Sequence, residues 1–370
     1  MLNGGPFKYI KESLIKSNSI LYKIKISIYV RKLSSKNLPI LFNLKHLCNI
    51  INVSYVKSKD IVSRKYYAYK HFTIKKRSGG VRHIHIPKDE LRLIQKWVHN
   101  NILLKNSYDD SAFAYISGRN IKMHAERHCM ARWVLKIDLE NFFENTTERK
   151  VFHIFKKMGY SNIMSFDLAR LTTIPVNIKA KEKLKKWKNK SSINKSDRIL
   201  GSLPQGAPSS PLLSNLCFAD LDREIFSIAN SAEFVYTRYS DDLIFSTFEG
   251  DRMKVLNLLK DVRKLLSIGG YRINNKKVKI LSPGARKIIT GLNINQGFPK
   301  VNKSYIMEVK KHLYYCLKFG PLSHCEKINF RNIVSFKAFL KGRINYIKLI
   351  DPVVGLKLSQ KFELIHWPII

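Results

Sequence analysis

The stretch Phe234–Ser246, FVYTRYSDDLIFS, constrains this chain more than any other. Two runs of β-branched and aromatic residues flank a short polar tip, which predicts a β-hairpin with Asp241 and Asp242 at or beside its turn. Like charges side by side in an apolar setting repel and raise each other's pKa unless a cation neutralises them. A divalent metal is the simplest such cation. Asp is also a favoured turn residue, so the pair alone fits a plain hairpin turn equally well. A third carboxylate upstream, and a Gln-Gly loop between the two, shift the balance toward a metal-dependent site.

The third carboxylate is Asp138, which closes the predicted strand Val134–Asp138, VLKID. A charge at the end of a buried strand is costly without a partner, so its presence there suggests function. If this strand neighbours the Asp-Asp hairpin, the carboxylates can share two metal ions and support in-line phosphoryl transfer. Between them, LPQGAPSSPLLS (Leu203–Ser214) opens a predicted helix Leu212–Ile228, where a ligand can approach backbone N–H groups. Tyr66–Pro87 alternates β-formers with polar residues around Ser78-Gly79-Gly80, a hairpin flanked by Lys75, Lys76, Arg77 and Arg82. Those cations are either a solvated basic surface or a clamp on a triphosphate. A nuclease needs similar carboxylates but neither the clamp nor the Gln-Gly loop, which favours a polymerase.

Charge supports an anionic partner. The 370 residues carry 67 Lys and Arg against 27 Asp and Glu, a formal net charge of +40, while 45% hydrophobic content is that of a folded protein. A polyphosphate backbone is the obvious partner. Asn177–Arg198 is the most cationic stretch, and Trp187 among its lysines favours a nucleic-acid surface over a solvating loop. No apolar run approaches the length of a membrane span and the N-terminus lacks a secretion signal, so a soluble, cytoplasmic protein is expected, with no membrane partner. The five cysteines show no CxxC spacing and read as reduced thiols. His124 and His128 stand four apart as zinc ligands on a helix would, but HAERH is not HExxH and no third ligand is evident. Helices are expected before Arg64, over Lys88–Leu104, through His128, over Lys254–Leu266 and from Tyr305 onward, with turn plus strand in GGYRINNKKVKIL.

The ordered set KKRSGGVRHIHIP, KIDLENFF, LPQGAPSSP, YSDD, GGYRINNKKVKIL and ITGLNIN resembles a reverse transcriptase of the prokaryotic type, from about Tyr66 to Asp351. The resemblance implies an α+β right-hand polymerase fold: an N-terminal helical region over 1–65, fingers and palm over 66–295 with an antiparallel sheet and helices, and a helical thumb over 296–370. It implies Asp138, Asp241 and Asp242 as catalytic metal ligands for two Mg²⁺ ions, with Mn²⁺ the alternative. It implies dNTP contacts from Lys75 and Arg82 to the triphosphate, from Phe143 to the sugar and from Gln205 to the incoming nucleotide. Lys277 matches a general acid for pyrophosphate, though a solvated strand lysine reads as well.

Within that family the chain is most similar to bacterial retron reverse transcriptases, which carry NAxxH and VTG motifs. Here these read His124, Ala125 and His128 in HAERH, and Ile289, Thr290 and Gly291 in ITG. The resemblance implies an RNA-directed DNA polymerase that copies part of a cognate structured non-coding RNA. Priming from an internal guanosine 2′-hydroxyl would give a branched RNA–DNA hybrid, in anti-phage defence with a separate effector protein. His124 in place of Asn keeps another defence-associated reverse transcriptase with a different primer open. A reading from another class is an RNA-binding scaffold that restrains an effector; the intact carboxylates and Gln205 argue against it.

Overall fold

The computed structural model describes residues 20–76, 79–175 and 201–368. The cationic stretch Asn177–Arg198 with Trp187, Arg77 and Ser78 of the basic turn, and the first 19 residues of the expected helical start lie outside the described residues. In chain order, helices α1 (Ile20–Ser34), α2 (Leu44–Ile51) and α3 (Tyr55–Val62) precede strands β1 (Tyr69–Lys75) and β2 (Val81–Pro87). Helix α4 (Asp89–Asn101), helix α5 (Ile121–Glu126) and strand β3 (Trp133–Glu140) follow, then helices α6 (Glu148–Met158) and α7 (Asn162–Thr172). Strands β4 (Ile174–Pro175) and β5 (Gly201–Ser202) lead to helix α8 (Ser210–Ser231) and the hairpin β6 (Val235–Tyr239) and β7 (Asp242–Thr247). Helix α9 (Arg252–Ile268), strands β8 (Arg272–Ile273) and β9 (Lys279–Leu281), and short strands β10 (Ile288–Ile289), β11 (Leu292–Asn293) and β12 (Lys300–Val301) come next. The chain ends in helices α10 (Lys303–Phe319), α11 (Pro321–Lys327), α12 (Ile333–Ile350) and α13 (Pro352–Glu363).

Local chemistry explains most of these boundaries. Asn43, Ser54, Asn120, Thr147, Ser161, Asn302, Asn332 and Asp351 each accept a backbone N–H of the first helical turn, so polar N-caps start the helices. Pro352 sits at the first position of α13, where its missing N–H costs nothing. Helix α5 stops at Glu126, before His128, so the expected helix is shorter than its sequence pattern. His128 instead lies in the following turn.

The chain divides into two compact units. The first comprises residues 1–115, 139–224 and 265–272. Its core gathers Leu33, Leu41, Leu47, Leu91, Ile94, Val98, Phe155, Met164, Leu168 and Leu203. Buried Glu148 sits at its centre. That carboxylate meets the Arg64 guanidinium at 2.5 Å, Arg170 Nε at 2.8 Å, the Thr173 hydroxyl at 3.1 Å and the Gly201 N–H at 3.0 Å. These contacts lock the β4–β5 pair, Ile174 opposite Ser202. In the same unit β1 and β2 form an antiparallel ribbon from Tyr69 opposite Pro87 to Lys75 opposite Val81.

The second unit comprises residues 116–138, 225–264 and 273–370. Its sheet has the order β6–β7–β3–β8, with β9 also paired to β3. Strand β3 runs two residues beyond Asp138, because Leu139 continues the inward alternation of Leu135 and Ile137. The GGYRINNKKVKIL stretch becomes two short strands around a 3₁₀ turn, Asn275–Lys277, so Lys277 stands on a turn rather than a strand. A second core packs Ala125, Val134, Ile244, Ile289 and Leu292 with Val309, Leu313, Phe336, Leu340, Ile344 and Phe362 of α10, α12 and α13. All five cysteines are free thiols. Among the described residues no helix is long and apolar enough to cross a membrane.

Glu148 is a buried charge held by two guanidinium groups, so removing it strands both. Glu148→Ala is expected to destabilise the protein by about 3–5 kcal/mol in urea unfolding, well beyond the effect of an exposed pair such as Lys157–Asp220.

Candidate active site

The hairpin predicted from FVYTRYSDDLIFS forms as β6 and β7, joined by Ser240 and Asp241. Ser240 takes a left-handed φ of 60° in that turn, and the Arg238 guanidinium donates to its carbonyl at 3.0 Å. Arg238 is fully buried, the largest such side chain among the described residues. A buried arginine thus fixes the backbone immediately before Asp241. The sequence signals no such role, since an arginine inside a strand reads as a solvent-facing residue.

Strands β3 and β7 are antiparallel neighbours, with Asp138 opposite Asp242 and Tyr239 of β6 opposite Asp242 in turn. Directly opposed residues share a face, at Cβ separations of roughly 5 Å. Period-two alternation then places Asp138, Lys136 and Val134, Asp242, Ile244 and Ser246, and Tyr239 and Thr237 on one face of the sheet. Asp241 stands at the adjoining turn. All three carboxylates are half-buried. Burial, with Asp241 and then Asp138 adding like charge, pushes the Asp242 carboxyl up to about 6 from 3.8.

Cations and amides surround this cluster. Lys277 donates to Asp138 Oδ2 at 2.8 Å, and that bond holds its ammonium pKa up. Asn274 donates its side-chain amide to Asp138 Oδ1 at 3.3 Å and its N–H to the Asp138 carbonyl at 2.8 Å. Lys136, whose ammonium burial pushes down and Asp242 pulls back up, donates to the Ile288 carbonyl at 3.0 Å. Of these contacts the sequence suggested only Lys277, without its partner; Asn274 and Lys136 carried no signal.

The residues of the two short motifs lie on this same face. His128 is buried and bonds Ser246 Oγ at 2.7 Å through Nδ1 and Thr237 Oγ1 at 2.6 Å through Nε2. The His124 ring stands 5.5 Å from the ring of Tyr239. Burial lowers both imidazoles, His124 to about 3, so both are neutral near pH 7. Ala125 and Ile289 pack together in the second core. Thr290 and Gly291 turn the chain between β10 and β11 with φ of 45° and 86°. A two-residue turn with both φ positive suits glycine, and a β-branched Thr in its first position is strained.

The remaining candidates belong to the first unit. Lys75 and Arg82 are exposed at the end of the β1–β2 ribbon. Arg82 is paired with Ile74 and Lys75 with Val81, which sets the two cations on opposite faces, so one anion meets both only around the hairpin's end. Gln205 is half-buried, and its carbonyl accepts the His85 N–H of β2 at 2.7 Å, tying the Gln-Gly loop to the ribbon. Gly206 follows with φ of 103°, and a Cβ there would come 2.8 Å from Ile84 Cγ2. Only glycine fits. Phe143 is half-buried with its ring edge-on to Phe142 at 5.6 Å, and Phe142 packs on Phe218 and Tyr271.

Among the described residues no group of three or more His, Cys, Asp or Glu gathers closely enough to hold a metal ion. In HAERH both His128 ring nitrogens are engaged by the Ser246 and Thr237 hydroxyls. For the three aspartates the donor chemistry still fits a hard divalent cation: oxygen ligands only, mutually repelling, with an ammonium resting on Asp138.

The reverse transcriptase (RNA-dependent DNA polymerase) family matches residues 74–317. The retron Ec86 reverse transcriptase of Escherichia coli is 30% identical over 79% of this chain and 84% of its own length. The retron Ec73 reverse transcriptase of Escherichia coli is 32% identical over 80% and 88%. The retron Mx162 reverse transcriptase of Myxococcus xanthus is 30% identical over 80% of this chain and 61% of its own. A solved structure of telomerase from Candida albicans with a telomeric RNA fragment overlaps 80% of this chain and 62% of that one, at TM-score 0.45 and 12% identity. The chain belongs to the reverse transcriptase family, among the retron reverse transcriptases. It is an RNA-directed DNA polymerase with the α+β, right-hand polymerase fold of that family, whose members use divalent metal ions.

The raised Asp242 carboxyl has a stability consequence. An acid whose folded pKa lies above its unfolded value stabilises the fold below about pH 4 and loses that contribution as pH rises through about 6. Without divalent metal, Asp242→Asn is therefore expected to gain about 1–2 kcal/mol over the parent near pH 7.5 and little near pH 4.5, allowing for partial solvent screening. Thermal melts at the two pH values check this, and added Mg²⁺ should raise the parent's Tm more than the variant's.

Proposed function

We propose that this chain copies part of a cognate structured RNA into single-stranded DNA at Asp138, Asp241 and Asp242. The observation that carries this reading is the pairing of Asp138 with Asp242 across β3 and β7, beside Asp241 in the turn and with Lys277 on the cluster. The three carboxylates would hold two Mg²⁺ ions, with Mn²⁺ the alternative, and the bound ions would lower the pKa of the primer hydroxyl and neutralise the leaving pyrophosphate. Lys277, kept protonated by its carboxylate neighbour, would give a proton to that leaving group. Arg238 and Asn274 hold the backbone and side chain of the carboxylate-bearing segments.

Residues 66–295 supply fingers and palm and 296–370 the thumb, after a helical region over 1–65. At the end of the β1–β2 ribbon, Lys75 and Arg82 bind the triphosphate of a dNTP from its two faces. Gln205 lies against the incoming nucleotide in a loop whose place is fixed by His85 and by the glycine after it. Phe143, braced by Phe142, stands under the sugar and excludes a ribose 2′-hydroxyl. The thumb helices, rich in lysine, read the RNA by shape and phosphate contacts. Priming comes from an internal guanosine 2′-hydroxyl and leaves a branched RNA–DNA hybrid. The complex serves anti-phage defence in the cytoplasm with a separate effector protein. Membership among the retron enzymes supports these last steps.

Two experiments check the reading. Sequencing of nuclease-treated nucleic acid that co-purifies from the native locus should recover one short DNA joined to one RNA through a 2′–5′ branch, and Asp241→Asn should lose the DNA by about 10³-fold or more while retaining the RNA. An ordinary 3′ junction would move the chain to another priming class, and RNA without DNA would favour the scaffold. Phe143→Val should raise ribonucleotide incorporation by about 10-fold or more with dNTP use largely kept, read by competition between rNTP and dNTP.

A further inference from the structure

In the HAERH motif, the side-chain bonds of His128 go to hydroxyls of the sheet rather than to the carboxylates. His128 lies fully buried in the turn after α5. Its two ring nitrogens bond two hydroxyls on different strands, Ser246 of β7 at 2.7 Å and Thr237 of β6 at 2.6 Å. Those strands carry the Asp pair at their joined end, four residues from Ser246 and from Thr237 respectively. In the β6–β7 register Ser246 opposes Val235 and Thr237 opposes Ile244, so the two hydroxyls are diagonal neighbours on the face that bears Asp138 and Asp242.

A neutral imidazole has one N–H donor and one acceptor nitrogen, and burial keeps His128 neutral. It therefore donates to one hydroxyl and accepts from the other, and the pair of bonds opposes sliding or splaying of one strand against its neighbour. A one-residue slip in a sheet would send every side chain to the other face, Asp242 included. Next to it, the His124 ring stands against Tyr239, opposite Asp242, and Lys136 on the same face ties β3 to the Ile288 carbonyl. Ala125 of α5 and Ile289 of β10 share a core with Val134 and Ile244 of this face.

We propose that His128 is a positioning residue for DNA synthesis: by bridging Thr237 and Ser246 it holds the β6–β7 hairpin so that Asp242 stays opposite Asp138, with Asp241 at the adjoining turn. This rests on the assignment of those three aspartates as metal ligands. The role acts through geometry and places no demand on RNA or dNTP affinity. Displacements near 1 Å at a reacting centre cost on the order of 10²-fold in rate.

Thr237→Val tests the bridge without emptying the core, because valine keeps the shape and removes only the hydroxyl. Thr237→Ser keeps the hydroxyl. The full chain with its RNA is assayed for RNA-templated dNTP incorporation, with Mn²⁺ binding followed separately by the loss of the free-ion resonance signal. Thr237→Val is expected to lower kcat by about 10-fold or more, to leave the dNTP KM within about two-fold and to weaken Mn²⁺ binding by about three-fold or more. Thr237→Ser should recover most of each loss, and Ser246→Ala should resemble Thr237→Val. Wild-type kcat and Mn²⁺ binding in Thr237→Val would overturn the proposal. So would an equal deficit in Thr237→Ser, or a rate loss that vanishes on cooling in step with the Tm. Asp241→Asn runs alongside: if it retains synthesis and Mn²⁺ binding, the ligand assignment itself has failed, whatever the Thr237 variants do.

Discussion

Asp138 and Asp242 oppose each other at one end of a sheet face with Asp241 at the adjoining turn, and their mutual repulsion is the constraint on this part of the second unit. Nothing in a bare β-hairpin would hold Asp241 and Asp242 beside Asp138, because each ionised neighbour makes the next more costly. The fold answers with charge and with stiffness. Lys277 pairs with Asp138 and Lys136 lies within the electrostatic reach of Asp242, so cations from two separate segments offset the cluster. Asn274 and Arg238 then fix the backbone at Asp138 and at the turn before Asp241. Burial, with the like charges of Asp241 and Asp138, still raises the Asp242 carboxyl to about 6.

Stiffness on this face comes from parts of the chain that bear no charge there. The neutral His128 bridge, the His124–Tyr239 ring contact and the core shared by Ala125, Ile289 and the helices α10 and α12 together form a dry support next to the carboxylates. Burial strengthens each electrostatic interaction, so the packing beside the hairpin also magnifies its charge. The strained turn at Thr290 and Gly291 adjoins Ile289, which anchors it in that core.

In the first unit the equivalent organising feature is Glu148. Its carboxylate gathers Arg64, Arg170, Thr173 and Gly201, residues far apart in sequence, and so fixes where β5 begins. Leu203 and the Gln-Gly loop follow directly, and the His85 bond to Gln205 then places that loop against the β1–β2 ribbon. A buried ion pair of this kind specifies geometry more than it adds stability, since two charges have been taken out of water to make it.

Much of this was legible in the residues alone. Alternating β-formers around SDD determined a hairpin, helical periodicity with polar caps determined most helices, and an excess of forty positive charges pointed to an anionic partner. Gly206 was legible as a loop glycine, and the order of motifs was enough to indicate the family. What the sequence could not decide was which strands are neighbours: that Asp138 opposes Asp242 depends on the pairing of β3 with β7, a contact between segments about a hundred residues apart. Nor could it show that β3 runs past Asp138, that Lys277 leaves the strand to meet Asp138, that Arg238 turns inward, or that His128 bonds two hydroxyls. Local pattern sets which face of an element is apolar, because alternation and capping are properties of adjacent residues. Partners of buried polar groups are chosen only when distant segments pack, since each such group must find its donor or acceptor in whatever the tertiary fold brings beside it.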